Sequence, residues 1–375
     1  MTCFHPKIAW QRTSWNINTT QENEVTKIYS KYNNLLPLPN KQDYIEQNRK
    51  LQSKISFTHI PNAKIIEIPC HKCIGCILDK ANEWATRLML ESENWKNAWF
   101  ITFTYDEKHI NKDRKLQKKD MTDFWKRLRW YYKGEETINF KDKTDNPIRY
   151  FYCGEYGDKK GRPHYHALIF NLKINDLKYY KTNKHGDKLY TSKSIKKIWG
   201  KGFCPIGEVT YKSACYVARY TQKKLGVKEK TYYYKDIFDK KTGKMKRKRL
   251  NSNKNEEFIL MSRKIGIGRL YYEKYKDKII QNENIIIAVQ DNEKRWVTKV
   301  KSIPNYFLKI INETDWQTYQ KIKYNKQKQA DEYKKLILSQ ESFTGTEEER
   351  WKQHLDKIEK SLLDKATRLK RNNFI

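Results

Sequence analysis

The stretch RYFYCGEYGDKKGRPHYHALIF, from Arg149 to Phe170, constrains the fold more than any other part of the chain. IRYFYCGEY and PHYHALIF are dense in aromatic and aliphatic residues, and Gly157 with KKGRP separates them. Runs of this kind, bounded by glycine and proline, read as two strands of a long-looped antiparallel hairpin. Side chains alternate across a strand, so His164 and His166 share one face and Tyr165 takes the other. Two imidazoles on one face are a ready-made pair of metal ligands, and Glu155 on the preceding strand can add an oxygen. Two histidines and one carboxylate leave coordination positions open for substrate and water. A His-x-His pair also arises as ordinary core packing, so the rest of the chain has to support the metal reading.

Around this hairpin the periodicity predicts further elements. WFITFTYD, Trp99 to Asp106, is aromatic and β-branched enough for a strand. KKDMTDFWKRLRWYYKG reads as a helix capped by Asp120, with Phe124, Leu128 and Tyr131 on its inner face and Gly134 at its end. SKSIKKIWG is a short helix and FCPIGEVT another strand. Ser213 then caps ACYVARYTQKKL, which Gly226 stops. The body from about 98 to 226 therefore runs strand–helix–strand–strand–helix–strand–helix. That order predicts an α+β fold, a central antiparallel β-sheet with flanking helices, here expected on one face.

The flanks read differently. The first sixty residues are polar and weakly patterned, followed by the strand-like AKIIEIP. Ile77, Ala81, Trp84, Leu88 and Trp95 then recur at helical spacing. Residues 228–257 carry dense charge, including KMKRKR, and read as an exposed basic insertion. IIIAV, Ile285 to Val289, resembles a buried strand. A helical C-terminal extension follows, with TEEE at Thr346 to Glu349 as a capping box. Trp351, Leu355, Ile358, Leu362 and Leu369 form its apolar stripe. The expected divisions are 1–97, 98–275 with the insertion 228–257, and 276–375.

Charge narrows the function. Lys and Arg number 78 against 44 Asp and Glu, a formal net charge of +34. A surface that self-repels so strongly suits a polyanionic partner, whose phosphates it neutralises with counterion release. Aromatic residues make up 14% of the chain, which favours single-stranded nucleic acid, because aromatic faces stack on unpaired bases. No apolar run approaches the roughly 18 residues of a membrane span, and the start MTCFHPKIAWQR lacks a signal-peptide core. The seven cysteines are then expected to be reduced thiols or metal ligands in a cytoplasm. Cys70, Cys73 and Cys76, in CHKCIGC, have the spacing to wrap a zinc ion, and either Cys3 or His5 can supply the fourth ligand. Buried thiols without metal are the plainer alternative.

YVARYTQKK carries the remaining chemistry. Tyr216 and Tyr220 lie one helical turn apart and so share a face. Each opens a Tyr-x-x-basic unit, with Arg219 and Lys223. Taken alone, two such tyrosines are first explained by packing against the sheet. A tyrosine can also act as a nucleophile. With a pKa near 10 in water it needs help, from a divalent cation on the phosphate and from nearby cations such as Lys223 or Lys224.

FITFTYD, then Glu155 with RPHYH, then YVARYTQKK follow the order of three motifs in the HUH endonucleases, the rolling-circle replication initiators. PCHKCIGCILDKANEWATR, YCGEYGDKKGRPHYHALIF, YVARYTQKK and MSRKIGIGRLYYEKY resemble segments of the replication initiators of microviruses, especially the gokushovirus group. The resemblance spans residues ~65–275 and the CFHP start. It implies site-specific nicking of one DNA strand, with a tyrosine joined to the 5′ phosphate and a freed 3′ hydroxyl to prime a host polymerase. A second tyrosine would end the round by strand transfer. By position it implies Glu155, His164 and His166 as ligands of Mg²⁺ or Mn²⁺. Tyr216 and Tyr220 become nucleophiles, and Lys223 the supporting cation. Arg162, Arg219 and Lys224 are expected to contact DNA. Single-stranded origin DNA, a host polymerase and a helicase are the implied partners, and the host bacterial cytoplasm the implied location. A non-catalytic, zinc-stabilised single-stranded nucleic-acid binder is the alternative from another class. A relaxase or transposase of the same superfamily is an alternative within it.

Overall fold

A computed structural model describes residues 3–15, 51–56, 64–132, 147–157, 161–183, 186–223, 234–239, 244–249, 257–291, 293, 295–340 and 342–370. The strands in chain order are β1 (Lys7–Trp15), β2 (Leu51–Ser56), β3 (Lys64–Ile68), β4 (Ala98–Phe103), β5 (Arg149–Tyr156), β6 (Pro163–Phe170) and β7 (Leu177–Thr182). They continue with β8 (Lys188–Ser192), β9 (Ile206–Glu208), β10 (Tyr234–Asp239), β11 (Lys244–Arg249), β12 (Phe258–Met261), β13 (Asn284–Gln290) and β14 (Trp296–Ser302). The helices are α1 (Ile74–Ser92), α2 (Lys118–Tyr131), α3 (Lys193–Trp199), α4 (Tyr211–Lys223), α5 (Arg269–Asn282), α6 (Asn305–Thr314), α7 (Trp316–Leu338) and α8 (Glu347–Lys370). Two compact units result. One gathers Ile77–Lys276 and Ile286–Lys301; the other gathers Met1–Cys76, Asp277–Ile285 and Ser302–Asn373.

The first unit is built on a seven-stranded sheet of order β12-β5-β6-β4-β9-β8-β7, antiparallel throughout. The α+β expectation of an antiparallel sheet with flanking helices therefore holds. The placement of the helices on one face does not. β6 is buried along both sides: Tyr165, Ala167 and Ile169 point one way, and His166, Leu168 and Phe170 the other. A strand covered on both sides reads as a nearly continuous apolar run, as PHYHALIF does. Met121, Phe124, Trp125 and Leu128 of α2, with Ile195, Ile198 and Trp199 of α3, cover the Tyr165 side. Ala81, Ala85 and Leu88 of α1, with Ala214, Val217 and Ala218 of α4, cover the His166 side. Phe103 is wedged between Phe124 and Trp199 at ring distances of 4.6 and 5.2 Å. Burial of one such side chain contributes about 1.5–3 kcal/mol.

Several local expectations need correction. Asp120 does not cap α2; the helix begins at Lys118, and Asp120 instead accepts from the Tyr105 hydroxyl at 2.6 Å and pairs with Lys201 at 3.3 Å. Tyr131 is half exposed rather than internal, because α2 turns only Phe124, Leu128 and their neighbours to the core. α1 ends at Ser92, short of Trp95, although Trp95 is buried and its indole donates to Glu91 at 3.2 Å. Thr210, not Ser213, sits at the entry of α4. The two residues exchange side-chain bonds, Ser213 N to Thr210 Oγ1 at 3.1 Å and Thr210 N to Ser213 Oγ at 2.9 Å. That is the reciprocal capping arrangement with serine at the third helical position. IIIAV forms β13, but Ile286 is exposed while Ile285, Ile287 and Val289 are buried, so the strand is half covered. Gly134 and Gly226 lie outside the described residues.

In the second unit, β1 pairs with β2 and β3 as a small antiparallel sheet; the strand-like AKIIEIP holds β3, while the polar sequence before it concealed β1 and β2. Phe307, Ile310, Ile311, Ile322 and Ile337 supply buried positions of α6 and α7. The Thr346 box is as expected: Thr346 N donates to Glu349 Oε2 at 2.8 Å and Glu349 N to Thr346 Oγ1 at 3.3 Å. In the first unit, KMKRKR is β11, paired with β10 in a two-stranded ribbon. Among the described residues no helix is long and apolar enough to cross a membrane.

Candidate active site

The β5–β6 register sets the site. Glu155 lies directly opposite His164, and Cys153 opposite His166. Glu155, His164 and His166 therefore project from the same face, two of them as cross-strand neighbours. Glu155 Oε1 stands 2.7 Å from His164 Nε2 and 2.6 Å from His166 Nε2. The candidate donor atoms of the three residues all lie within 4.8 Å of one another. Glu155 and His166 are buried and His164 nearly so. Tyr165 is anchored on the opposite face, where its hydroxyl meets Tyr105 at 2.9 Å and accepts from Gln117 N at 2.8 Å. The tyrosine between the histidines thus holds β6 down while the imidazoles face the other way.

The outer ring nitrogens are also committed. His164 Nδ1 is 3.1 Å from the Arg162 carbonyl, which can only accept, so Nδ1 carries a proton. His164 Nε2 then faces a carboxylate either as a charged N–H or with a lone pair available to a shared cation. His166 Nδ1 meets Thr102 Oγ1 at 2.9 Å, and the Phe100 ring stacks on the imidazole at 5.6 Å. Both partners come from β4, where Thr102 is paired with His166. Such outer partners fix ring orientation and ligand basicity in metal sites. Neither was apparent from the sequence, because cross-strand register leaves no local signal.

The electrostatics follow from this packing. Burial pushes the Glu155 carboxyl up, but hydrogen bonds from both histidines outweigh it and hold the group below the usual carboxylate range. Burial pulls His164 down, but the hydrogen bond and charge of Glu155 raise it overall. Burial dominates at His166 and lowers it. Two imidazoles and a carboxylate converging at these distances form a donor set that fits one divalent cation with positions left open.

α4 brings Tyr216 to this cluster. Ala214, Val217 and Ala218 are fully buried, which seats the helix on the sheet. The Tyr216 hydroxyl then donates to Glu155 Oε1 at 3.0 Å and lies 3.4 Å from His166 Nε2. Its ring stands edge-on to His166 at 5.0 Å and to Phe100 at 6.4 Å. The Arg219 guanidinium lies over the Tyr216 ring at 5.6 Å. Tyr220 and Lys223 are on α4, but their side chains fall outside the described residues, as does Lys224 entirely. Arg162 donates to the Tyr105 carbonyl at 2.8 Å and pairs with Glu107, so its guanidinium is engaged within the protein. The sulfurs of Cys3, Cys70, Cys73 and Cys76 come together in a separate cluster, also within 4.8 Å. His5 does not join it, pairing with Glu359 at 3.1 Å.

Comparison with known proteins places the chain among replication-associated proteins. Residues 98–225, from β4 to the end of α4, match the family model for replication-associated proteins of the ORF2 type. The chain is 32% identical over 311 residues to replication-associated protein ORF2 of Spiroplasma virus 4, covering 78% of this chain and 86% of that one. Replication-associated protein VP4 of Bdellovibrio phage phiMH2K is 44% identical over 159 residues, 42% of this chain and 48% of its own length. Replication-associated protein ORF4 of Chlamydia phage 1 is 33% identical over 164 residues, 43% of this chain and 39% of its own. No solved structure matches significantly.

Proposed function

This chain belongs to the replication-associated protein family of the microviruses, as its motifs implied, and we propose that it initiates rolling-circle replication by nicking single-stranded origin DNA through Tyr216. The observation that carries the reading is the Tyr216 hydroxyl, 3.0 Å from Glu155 Oε1 and 3.4 Å from His166 Nε2. A nucleophile belongs beside the group that polarises its target.

Glu155, His164 and His166 would hold Mg²⁺ or Mn²⁺, which when bound polarises the scissile phosphate and stabilises the charge that develops there. Tyr216 attacks phosphorus through Oη. Its proton leaves to solvent, since Glu155, held below the usual carboxylate range and committed to the cation, is too weak a base to keep it. The new bond joins Oη to the 5′ phosphate, the bond from phosphorus to the 3′ oxygen breaks, and that oxygen takes a proton from solvent. Thr102 and the Arg162 carbonyl keep the two imidazoles from rotating. Arg219, whose guanidinium lies over the Tyr216 ring at 5.6 Å, would meet the negative charge of the incoming phosphate. Tyr220, one turn further along α4, is the second nucleophile that rejoins the strand, with Lys223 and Lys224 as supporting cations. The freed 3′ hydroxyl would prime a host polymerase in the bacterial cytoplasm, with a host helicase separating the strands.

The test is incubation of the full chain with end-labelled single-stranded fragments of its own replicon and Mn²⁺. The expected result is a covalent protein–DNA adduct at one sequence. Binding to every fragment with neither cleavage nor adduct would favour the non-catalytic binder.

A further inference from the structure

We infer that Cys3, Cys70, Cys73 and Cys76 form a tetrathiolate site for a single structural zinc ion. Four tetrahedral sulfurs at the usual zinc–sulfur distance of ~2.3 Å stand about 3.8 Å from one another. Here the sulfurs lie within 4.8 Å, and Cys70 Sγ and Cys76 Sγ are 4.0 Å apart. No disulfide joins any of them. A polynuclear iron–sulfur cluster would hold its thiolates further apart, around a body of several atoms, so the spacing fits one ion.

The backbone around the sulfurs is a second, independent observation. Cys70 Sγ accepts from Lys72 N at 3.4 Å and Cys73 N at 3.3 Å. Cys3 Sγ accepts from Cys70 N at 3.2 Å, and Cys73 Sγ from Phe4 N at 3.4 Å. Amide donors aimed at sulfur stabilise the thiolate, which is the form a metal binds. His71 makes this possible by adopting φ 56°, a left-handed turn that an L residue rarely takes without cause. The chain curls there so that two successive amides point back at Cys70.

The placement supplies the reason for a metal. The β1–β3 ladder ends on the pair Lys7↔Ile68, which brings the segments leading to Cys3 and Cys70 side by side. A metal held only when such distant segments are brought together adds its binding free energy to the stability of the fold. Zinc at these four sulfurs ties residues 67 apart in sequence at the open end of the ladder. It also fixes Cys76 in the first turn of α1.

The test uses the full-length protein purified without added metal. Elemental analysis should find about one zinc per chain, and zinc should be released as a mercurial reagent titrates the thiols of the native wild-type protein. Growth with cobalt should give thiolate-to-cobalt charge-transfer bands of a tetrahedral centre. Cys3→Ser should lose zinc to a chelator far faster than the wild type, whereas Cys204→Ala, in the sheet core, should keep it. The wild-type measurements do not depend on any variant folding. Iron in place of zinc, or all four thiols alkylated in the native state with no metal released, would overturn the assignment.

Discussion

Thr102 Oγ1 lies 2.9 Å from His166 Nδ1, from a neighbouring strand and at a matched register position. The hydroxyl is what keeps the buried imidazole turned so that Nε2 faces Glu155. Thr102→Val preserves shape and β propensity but removes the oxygen. We expect Mn²⁺ affinity to fall by about 10–100-fold, the usual effect of losing such an outer partner. Calorimetric titration with Mn²⁺ measures it, and unchanged affinity would mean that packing alone orients His166.

Metal binding should be pH-dependent with a definite sign. His164 is raised by Glu155, so without metal it holds a proton above the ordinary histidine value of 6.5. A metal must displace that proton. Affinity for Mn²⁺ should therefore rise from about pH 6 to pH 8. The heat of binding should report proton release when measured in buffers of different ionisation enthalpy. For the metal-free protein the folding contributions separate. The depressed Glu155 adds stability above the ordinary carboxylate range, lost as pH falls. The raised His164 adds stability below about 6.5, lost as pH rises through its elevated value. The lowered His166 opposes folding in acid, since it must charge while buried.

A buried ion pair underlies the same face. Arg149 Nε meets Glu91 Oε1 at 2.5 Å, and Glu91 Oε2 accepts from Gly268 N at 2.6 Å. Arg149 also donates to the Ile265 carbonyl at 2.9 Å. Glu91→Ala would leave a buried guanidinium unpaired and is expected to cost about 3–5 kcal/mol in denaturant unfolding. A loss below about 1 kcal/mol, typical of an exposed pair, would contradict the burial.

Much of the site could be read in the sequence because strand periodicity is local. His164 and His166 two residues apart must share a face, whatever the fold. Glu155 joined them by hairpin logic, and the register confirmed its position opposite His164. Thr102 and Phe100 could not be found this way, because the pairing of β4 with β6 is decided by the whole sheet. Helices on both faces were likewise hidden. Leu168 and Tyr165 are each fully buried, but a strand's apolar run does not say what covers either side. At α4, Thr210 and Ser213, three residues apart, both carry hydroxyls, and only the backbone path shows that Thr210 precedes the helix.

The central claim is that the Tyr216 hydroxyl, 3.0 Å from Glu155 Oε1, is a nucleophile. Tyr216→Phe keeps the ring contacts with Phe100 and His166 and removes only the oxygen. The most direct measurement is mass spectrometry of the trapped adduct on origin DNA with Mn²⁺, for the wild type and for this variant. We predict a 5′-phosphotyrosyl peptide containing modified Tyr216 in the wild type. In the variant that modification is absent, single-stranded DNA affinity is unchanged, and any residual adduct maps to Tyr220. An adduct formed in the wild type at neither tyrosine, or undiminished cleavage by Tyr216→Phe with Tyr220→Phe, would contradict the account.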